Sequence, residues 1–246
     1  MHFHPKYLIP LIFLLCCTTC GLTDVKVQVP KSKRKLNLSR QGLKEIPSYV
    51  FEMKDLEVLR LYENEFSELP EELGKLKKLK KLYIGKNKLE YLPSVLGELE
   101  SLELLSVQYN EIDSISPDLA NAKQLTQLIV NNNRLKTLPA FIGDLPELKN
   151  LWLNFNELEV IHDSVFNATS LEFISLNRNF LDSIPSTISQ CSNLREIHMI
   201  NAGSLVQLPE SLCDLRRMDI LEVDKQVVIP QCLLVRQTTP LRIILR

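Results

Sequence analysis

The chain has 246 residues, of which 45% are hydrophobic and 24% are charged, a globular composition that suits one or two domains. Its formal net charge of −1 supplies no overall field that would recruit nucleic acid, so no nucleic-acid partner is expected. The sequence has only seven glycines and contains neither GxGxxG nor GxxxxGK[ST], which argues against a glycine-rich phosphate loop.

The N-terminal twenty residues are an apolar leader that differs from the rest of the chain. Its apolar run extends from Tyr7 to Leu15 and is interrupted only by Pro10. This run is too short to span a bilayer, which needs about 20 apolar residues. It has the proportions of the core of a secretory signal.

The segment that follows, Cys17-Thr18-Thr19-Cys20-Gly21, resembles the lipobox of bacterial lipoproteins, in which a cysteine becomes lipid-modified and N-terminal. The resemblance implies a signal peptide over residues 1–19, lipid attachment at Cys20 and a tether over residues 20–32. The match departs from the usual pattern because Cys17 stands where leucine is usual. Cys17 itself is a second candidate for lipidation, and an ordinary secretory signal is the alternative.

Beyond residue 32 the sequence repeats with a period of 23 residues. The pattern LxxLxLxxNxLxxLP recurs, with small departures, in copies that start at Leu56, Leu79, Leu102, Leu125, Leu148 and Leu171. It is identified as the leucine-rich repeat. The unit with LPxxLGxL is similar to the Ras-suppressor-like leucine-rich repeats, which also occur in bacterial surface proteins.

The resemblance implies an α/β solenoid, a leucine-rich repeat horseshoe. A parallel β-sheet should line its concave face, and short helical or irregular return segments should form its convex face. The repeat domain is predicted over residues 33–223, with about eight repeats and a partial ninth, and residues 224–246 are predicted to form a C-terminal cap.

The LxL core of each repeat has the period of a β-strand. In the copy from Leu56, Leu59 and Leu61 point to one face, and Arg60 between them points to the other. An asparagine follows each strand, and its amide can both donate and accept hydrogen bonds. Stacked in register, these amides should satisfy backbone groups where the chain leaves the strand. The predicted structural Asn ladder comprises Asn64, Asn87, Asn110, Asn133, Asn156 and Asn179.

The residues two, four and six positions after each repeat start are predicted to point outward from the sheet. They include a diagonal apolar streak on neighbouring strands, formed by Leu104, Ile129, Trp152 and Phe173. A contiguous apolar patch rimmed by polar groups marks an interaction site, although the same aromatics could merely fill the pleats of the sheet. The predicted partner-binding residues of the concave face are Tyr62, Tyr83, Leu104, Tyr109, Ile129, Trp152, Phe155, Phe173 and Arg178.

The lysine-rich stretch over residues 74–88 follows a repeat that is rich in glutamate. We interpret it as a solvated surface that neutralises itself, in preference to a patch that binds nucleic acid or phospholipid. No HExxH, GxSxG or paired-acid signature is present, so no catalytic residues, metal or cofactor are predicted. A disulfide between Cys213 and Cys232 and a set of three buried free thiols both remain open.

The sequence therefore predicts a non-catalytic module that is lipid-anchored in a bacterial cell envelope and binds a protein or peptide partner through its concave face. By analogy with Gram-negative sorting, Gly21 after the cysteine favours the outer membrane. The alternatives are a secreted soluble effector or regulator and a purely structural envelope protein.

Overall fold

A computed structural model describes residues 33–205, 207–235 and 241–246. The predicted signal peptide, the two candidate lipidation cysteines and the predicted tether lie outside the described residues. No helix within the described residues is both long enough and apolar enough to cross a membrane.

The described residues form short strands and turns in regular alternation. The strands are β1 (Lys35–Asn37), β2 (Val58–Arg60), β3 (Lys81–Tyr83), β4 (Tyr91–Leu92), β5 (Leu104–Ser106), β6 (Ser114–Ile115), β7 (Gln127–Ile129), β8 (Thr137–Leu138), β9 (Asn150–Trp152), β10 (Val160–Ile161), β11 (Phe173–Ser175), β12 (Glu196–Met199), β13 (Ile220–Val223) and β14 (Arg242–Leu245). Ten of them form one parallel sheet in the order β1-β2-β3-β5-β7-β9-β11-β12-β13-β14. The other four form two small parallel pairs, β4 with β6 and β8 with β10.

Each return segment carries one turn of 3₁₀ helix. These helices are Ser48–Glu52, Glu71–Lys75, Ser94–Glu98, Pro117–Asn121, Ala140–Asp144, Asp163–Asn167, Ser186–Gln190 and Glu210–Asp214, and a short α-helix, α1, follows at Gln231–Leu234. A proline caps most of them at the N-terminus, because its fixed φ suits the entry to a helix and its missing N–H would be unpaired there. The predicted leucine-rich repeat solenoid is confirmed, with a parallel sheet on one side and short helical segments on the other.

The strands pair in the register of the repeat. Val58 lies opposite Lys81, its equivalent in the next repeat, and the same offset continues to the pair of Phe173 and Glu196. Between β12 and β13 the offset grows by one residue, so that Glu196 lies opposite Ile220. The longer coil accommodates one extra residue. The next pairing, of Ile220 with Arg242, is one residue shorter than the repeat, so the shift is confined to β13.

The core is a continuous column of leucine-rich layers between the sheet and the return segments. Alternation within each strand turns the central leucine inward, so that Leu59, Leu82 and Leu128 are fully buried. The leucine before the glycine of each LPxxLG turn also packs inward, and the glycine allows close approach of the next coil. A β-carbon at Gly97 would collide with the carbonyl oxygen of Asp118 in that coil.

The asparagines that follow the strands join consecutive coils. Asn133 Oδ1 accepts the N–H of Ile112 at 3.1 Å, and its Nδ2 donates to the carbonyl oxygens of Val107 at 3.2 Å and Val130 at 2.9 Å. The same arrangement recurs at Asn64, Asn87, Asn110, Asn156 and Asn179. These bonds satisfy backbone groups that the loop would otherwise bury without a partner. Both ends of each amide are used within the fold.

The predicted C-terminal cap contains α1 and β14. β14 adds the last strand to the main sheet, and the sulfur atoms of Cys213 and Cys232 are bonded, with their Cα atoms 5.9 Å apart. The possibility of three buried free thiols is therefore wrong, because only Cys191 is a buried free cysteine among the described residues. Burial raises the pKa of the Cys191 thiol to about 12, so this group stays protonated near neutral pH.

Replacing Leu128 with alanine should lower the free energy of unfolding by about 2–5 kcal/mol, because this fully buried side chain sits in the middle of the stack. Urea denaturation monitored by circular dichroism measures the effect. The matched control is Leu234→Ala in α1, where the leucine is 62% exposed and the cost should stay below about 0.5 kcal/mol. Equal urea midpoints for the two variants would contradict this placement of the core.

Candidate functional site: the concave face of the sheet

The outward-facing side chains form two rows across the main sheet. The first row comprises Lys35, Val58, Lys81, Leu104, Gln127, Asn150, Phe173, Glu196, Ile220 and Arg242. The second row comprises Asn37, Arg60, Tyr83, Ser106, Ile129, Trp152, Ser175, His198, Glu222 and Ile244. Because the strands are parallel and in register, side chains in one row are neighbours at about 4.8 Å per strand.

An aromatic streak crosses the two rows diagonally. The ring centroids of Trp152 and Phe173 are 5.1 Å apart, and those of Phe173 and His198 are 5.3 Å apart. Ile129 lies directly opposite Trp152 on the neighbouring strand. We call Ile129, Trp152, Phe173 and His198 the aromatic streak, and all four side chains are half-buried. Leu104 lies in the predicted position but is only 9% exposed, so it contributes to the floor of the face.

The middle of the concave face carries no formal charge. The outward-facing residues of β5, β7, β9 and β11 are Leu104, Ser106, Gln127, Ile129, Asn150, Trp152, Phe173 and Ser175. A ligand over this region would meet apolar surface and uncharged hydrogen-bonding groups. Such a surface suits a segment that is itself uncharged, because no ion has to be desolvated on either side.

Two bulky aromatic residues flank the streak in a strained backbone conformation. Tyr109 and Phe155 have φ of 58° and 56°, in the left-handed region, and they are 51% and 46% exposed. This conformation costs a residue with a β-carbon about 1–2 kcal/mol. Arg178 occupies the equivalent position one repeat later, and its guanidinium carbon lies 4.9 Å from the centre of the Phe155 ring. Its cation–π contact fixes the Phe155 ring against the loop.

A second row of amides lies at the end of the strands, and sequence reasoning missed its role. Asn131 Oδ1 accepts the N–H of Asn154 at 2.8 Å, and Asn154 Oδ1 accepts that of Asn177 at 2.9 Å. Asn177 Oδ1 accepts the N–H of Ile200 in turn. The carbonyl ends of these amides are therefore occupied. Asn177 Nδ2 donates to the hydroxyl of Ser175 at 3.4 Å, and the Nδ2 groups of Asn131 and Asn154 border the concave face as donors. The recurrence of asparagine at the same position of successive repeats was the available signal.

His198 and its partners were also missed as members of the site. His198 Nδ1 lies 2.7 Å from a carboxylate oxygen of Glu222, and Nε2 lies 3.4 Å from Glu196. Arg246 Nε donates to the other oxygen of Glu222 at 2.8 Å. These contacts hold the imidazole beside Phe173. The extra residue in this coil hides the alignment of His198 with Glu222 from a strict count of the repeat period.

The N-terminal end of the face is separate from the streak. Tyr62 and Tyr83 were both predicted as partner-binding residues. Tyr62 follows β2, Tyr83 ends β3, and both are half-buried. The guanidinium carbon of Arg60 lies 5.2 Å from the centre of the Tyr83 ring. The structure therefore divides the predicted site into a cationic N-terminal part and an uncharged aromatic middle.

Charges along the edges of the sheet largely pair with each other, as the sequence predicted for the lysine-rich stretch. Lys86 Nζ lies 2.7 Å and Arg40 Nε 2.9 Å from the carboxylate of Glu63. These hydrogen bonds, first from Lys86 and then from Arg40, lower the pKa of the Glu63 carboxyl, and the bond to Glu63 raises the pKa of Lys86. Lys88 pairs in the same way with Glu65 at 3.2 Å.

One group of potential metal ligands occurs among the described residues, at Glu210, Cys213 and Cys232. The two cysteine sulfurs are bonded to each other and supply no thiolate. This group therefore forms a structural crosslink.

Comparison with known proteins identifies the class. Residues 32–199 match the family model described as "Leucine-rich repeat region", and the chain therefore belongs to the leucine-rich repeat family, whose fold typically serves as a protein-binding scaffold. No curated protein matches the chain.

Several solved structures share the fold. An internalin from Listeria monocytogenes is 22% identical with a TM-score of 0.72, over 87% of this chain and 61% of that one. The plant peptide hormone receptor RGFR1, solved in complex with RGF2, is 23% identical with a TM-score of 0.67, over 87% of this chain and 40% of the receptor. A leucine-rich repeat protein of Leptospira interrogans is 20% identical with a TM-score of 0.50, over 87% of this chain and 84% of that one. The chain thus spans less than two thirds of the internalin and of the receptor.

Replacing Tyr109 with asparagine should leave the free energy of unfolding unchanged or raise it by up to about 1 kcal/mol. Asparagine tolerates the left-handed conformation and already occupies the equivalent position at Asn132, while half of the tyrosine surface is exposed and little burial is lost. The control is Tyr91→Asn, at a comparably exposed tyrosine with ordinary φ in β4, which should be destabilising. Chemical denaturation compares the two, and a marked loss of stability in Tyr109→Asn would show that this tyrosine is retained for packing.

Proposed function

We propose that this chain is a non-catalytic leucine-rich repeat module that binds a protein or peptide partner through its concave face. The observation that carries the proposal is the aromatic streak, a set of half-buried side chains whose Trp152 and Phe173 rings lie in the uncharged middle of the sheet surface. Large aromatic side chains that keep part of their surface exposed supply most of the energy of many interfaces. An apolar patch rimmed by amides marks a contact surface more often than an accident of packing.

The aromatic residues at two of the left-handed loop positions, beside the streak, support the same proposal. Tyr109 and Phe155 adopt a conformation that asparagine or glycine would adopt at lower cost, yet both place exposed rings next to the concave face. The left-handed conformation itself belongs to the repeat, since the equivalent residues from Arg40 to Asn201 all adopt it, but the repeat does not require an aromatic side chain at this position. We therefore include both rings in the proposed binding surface.

The relatives with the same fold are consistent with a macromolecular partner. The plant receptor described above is a peptide hormone receptor and was solved in complex with RGF2. At 23% identity this likeness concerns the fold alone, so the proposal for this chain depends on its own concave residues. The similarity of its repeats to the Ras-suppressor-like type is part of the same proposal, and the 23-residue offset that the strands keep from β1 to β12 supports it.

We further propose that the module is a lipoprotein of the bacterial cell envelope, anchored through Cys20 and located at the outer membrane. The disulfide between Cys213 and Cys232 supports a compartment outside the reducing cytoplasm. Residues 20–32 would act as the tether, and an extended chain of that length reaches about 40 Å. The concave face could then meet a partner beyond the lipid headgroups.

Replacing Trp152 with alanine should weaken partner binding at least about thirtyfold, because a central aromatic anchor contributes about 2 kcal/mol or more to a complex. The partner can be trapped in cells with a photo-crosslinking amino acid at Asn150, beside Trp152. The same amino acid at the exposed Val160, in β10, serves as the background control. Calorimetry with the recovered partner then measures the affinity of the parent chain and the variant.

The neighbouring Leu153 is fully buried, so Leu153→Ala should lower the melting temperature first and affect binding only through unfolding. Trp152→Ala should leave the melting temperature nearly unchanged. If Trp152→Ala unfolds the protein, or if it binds the recovered partner as the parent does, the concave face loses its assigned role and a purely structural envelope protein becomes the better description.

Metabolic labelling with a fatty acid should mark the parent chain, and Cys20→Ala should abolish the label and release the protein from membranes. Several acyl chains would hold it there, since each buried CH₂ contributes about 0.8 kcal/mol. Cys17→Ala is the matched control and should keep the label. Unchanged labelling in Cys20→Ala together with loss in Cys17→Ala would move the anchor, and no labelling in either parent or variants would favour a secreted soluble protein.

A further inference from the structure

Three cations at the N-terminal end of the concave face lack an acidic partner. Lys35 and Lys81 lie on either side of Val58 in the first row, and Arg60 lies beside them in the second. All three side chains are exposed, and none pairs with a carboxylate within the part of the chain that the structure describes. Val58 is only 8% exposed, at the centre of the group. We call Lys35, Arg60 and Lys81 the cation cluster.

Most charged residues along the nearby sheet edge are arranged differently. Arg34 pairs with Glu57 and Lys80 with Glu103, each across one strand spacing. Farther along the same edge, Lys149 pairs with Glu172. Like charges held close together repel each other, so the cation cluster costs free energy that an anion seated among the three would recover. A group of neighbouring cations with no carboxylate beside them is complementary to an anionic ligand.

The cation cluster and the aromatic streak lie in matched positions. In the second row, Arg60 and Trp152 are separated by four strand steps, from β2 to β9. In the first row, Lys81 and Phe173 are also separated by four steps, from β3 to β11. Four steps correspond to about 19 Å, which an extended peptide covers with five or six residues. The side chains between them carry no charge.

We propose that the partner presents an extended segment that carries acidic side chains over the cation cluster and an aromatic or large aliphatic side chain over Trp152 and Phe173, five or six residues apart. This inference rests on the proposed function of the concave face and adds the chemistry and spacing of the ligand. The uncharged floor between the two ends accepts uncharged intervening residues. The Nδ2 groups of Asn131 and Asn154, in the second amide row, can donate to peptide carbonyls.

Two other anionic partners fit the face less well. A nucleic acid carries charge along its whole length, whereas the middle of this face is neutral and its far end contains Glu196 and Glu222. A flat bilayer does not match the curvature of the concave face, so its anionic headgroups would have to project out of the membrane plane to contact the cation cluster. A peptide with an acidic end, a neutral middle and an apolar end matches the order of the cation cluster, the uncharged floor and the aromatic streak along the sheet.

Synthetic fluorescent peptides on an uncharged threonine and serine scaffold test the spacing. Each carries two adjacent glutamates and one phenylalanine, with two, five or eight residues between them, and each has a twin in which glutamine replaces glutamate. Fluorescence anisotropy with the full chain should show that the five-residue peptide binds at least about tenfold more tightly than its glutamine twin and than the other spacings. This advantage should shrink as salt is added.

Variants assign the effect to the cation cluster. The double variant Arg60→Gln and Lys81→Gln should reduce binding of the five-residue glutamate peptide to the level of its glutamine twin and leave the twin unchanged. The control is Lys75→Gln with Lys136→Gln, two exposed lysines away from the two rows, which changes the net charge equally and should preserve discrimination. Both double variants should keep the melting temperature of the parent.

The outcomes separate this inference from the proposed function. If the phenylalanine peptides bind in a manner that requires Trp152 but ignores glutamate, the acidic specificity is overturned and the concave site stands. If Trp152→Ala binds every peptide as the parent does, the proposed function fails as well. The inference would be overturned if peptides of all three spacings bound equally or if none bound at about 1 mM. It would also be overturned if both double variants lost the same affinity for the five-residue glutamate peptide. Phosphatidylglycerol vesicles that bind Cys20→Ala through the cation cluster while no peptide is discriminated would overturn it as well.

Discussion

The stacking of each coil on the next is the constraint from which the rest of this structure follows. One repeat has too few apolar side chains to stabilise itself, because ordering its backbone costs more than its own burial returns. Its leucines are buried only between two neighbouring coils, and the amide of Asn133 bonds to backbone groups of its own coil and of the preceding one. Any residue that takes part in this stacking is fixed by the fold. Function must therefore depend on the residues that stacking leaves free.

Those free residues lie on the outward rows of the sheet and on the left-handed loop position that follows each strand. Parallel pairing in register brings side chains from distant parts of the sequence to within one strand spacing, so that Trp152 and Phe173 stack although they belong to different repeats. The rows are graded along the solenoid. Unpaired cations come first, and an uncharged aromatic surface follows. A histidine between two glutamates comes next, and β14 adds Arg242 and Ile244 at the end of the rows. The loop position adds Tyr109 and Phe155, whose rings are exposed at a cost in backbone strain.

Sequence reasoning succeeded wherever the repeat stays in phase. The inward leucines, the Asn ladder and the outward direction of Trp152 all follow from position within the repeat, because identical coils place equivalent residues alike. Sequence reasoning was less complete where residues of an adjacent coil decide whether a side chain is buried or hydrogen-bonded. Leu104 occupies an outward position yet is nearly buried, and Asn131, Asn154 and Asn177 form a hydrogen-bonded row that no single repeat contains. His198 lies opposite Glu222 because the extra residue shifts the register of β13, and a strict 23-residue count does not predict this pair.

The sequence by itself determined the architecture, because the spacing of leucine and asparagine admits one way to bury the apolar side chains and satisfy the turns. The tertiary structure alone decided which outward residues touch, which cations lack a carboxylate and whether the cysteines pair. Cys213 and Cys232 are brought together by the fold of the last coil, and Lys35, Arg60 and Lys81 become one cluster only when three strands lie side by side. Such contacts depend on distances of a few ångströms between residues far apart in the chain, and a local pattern does not encode them.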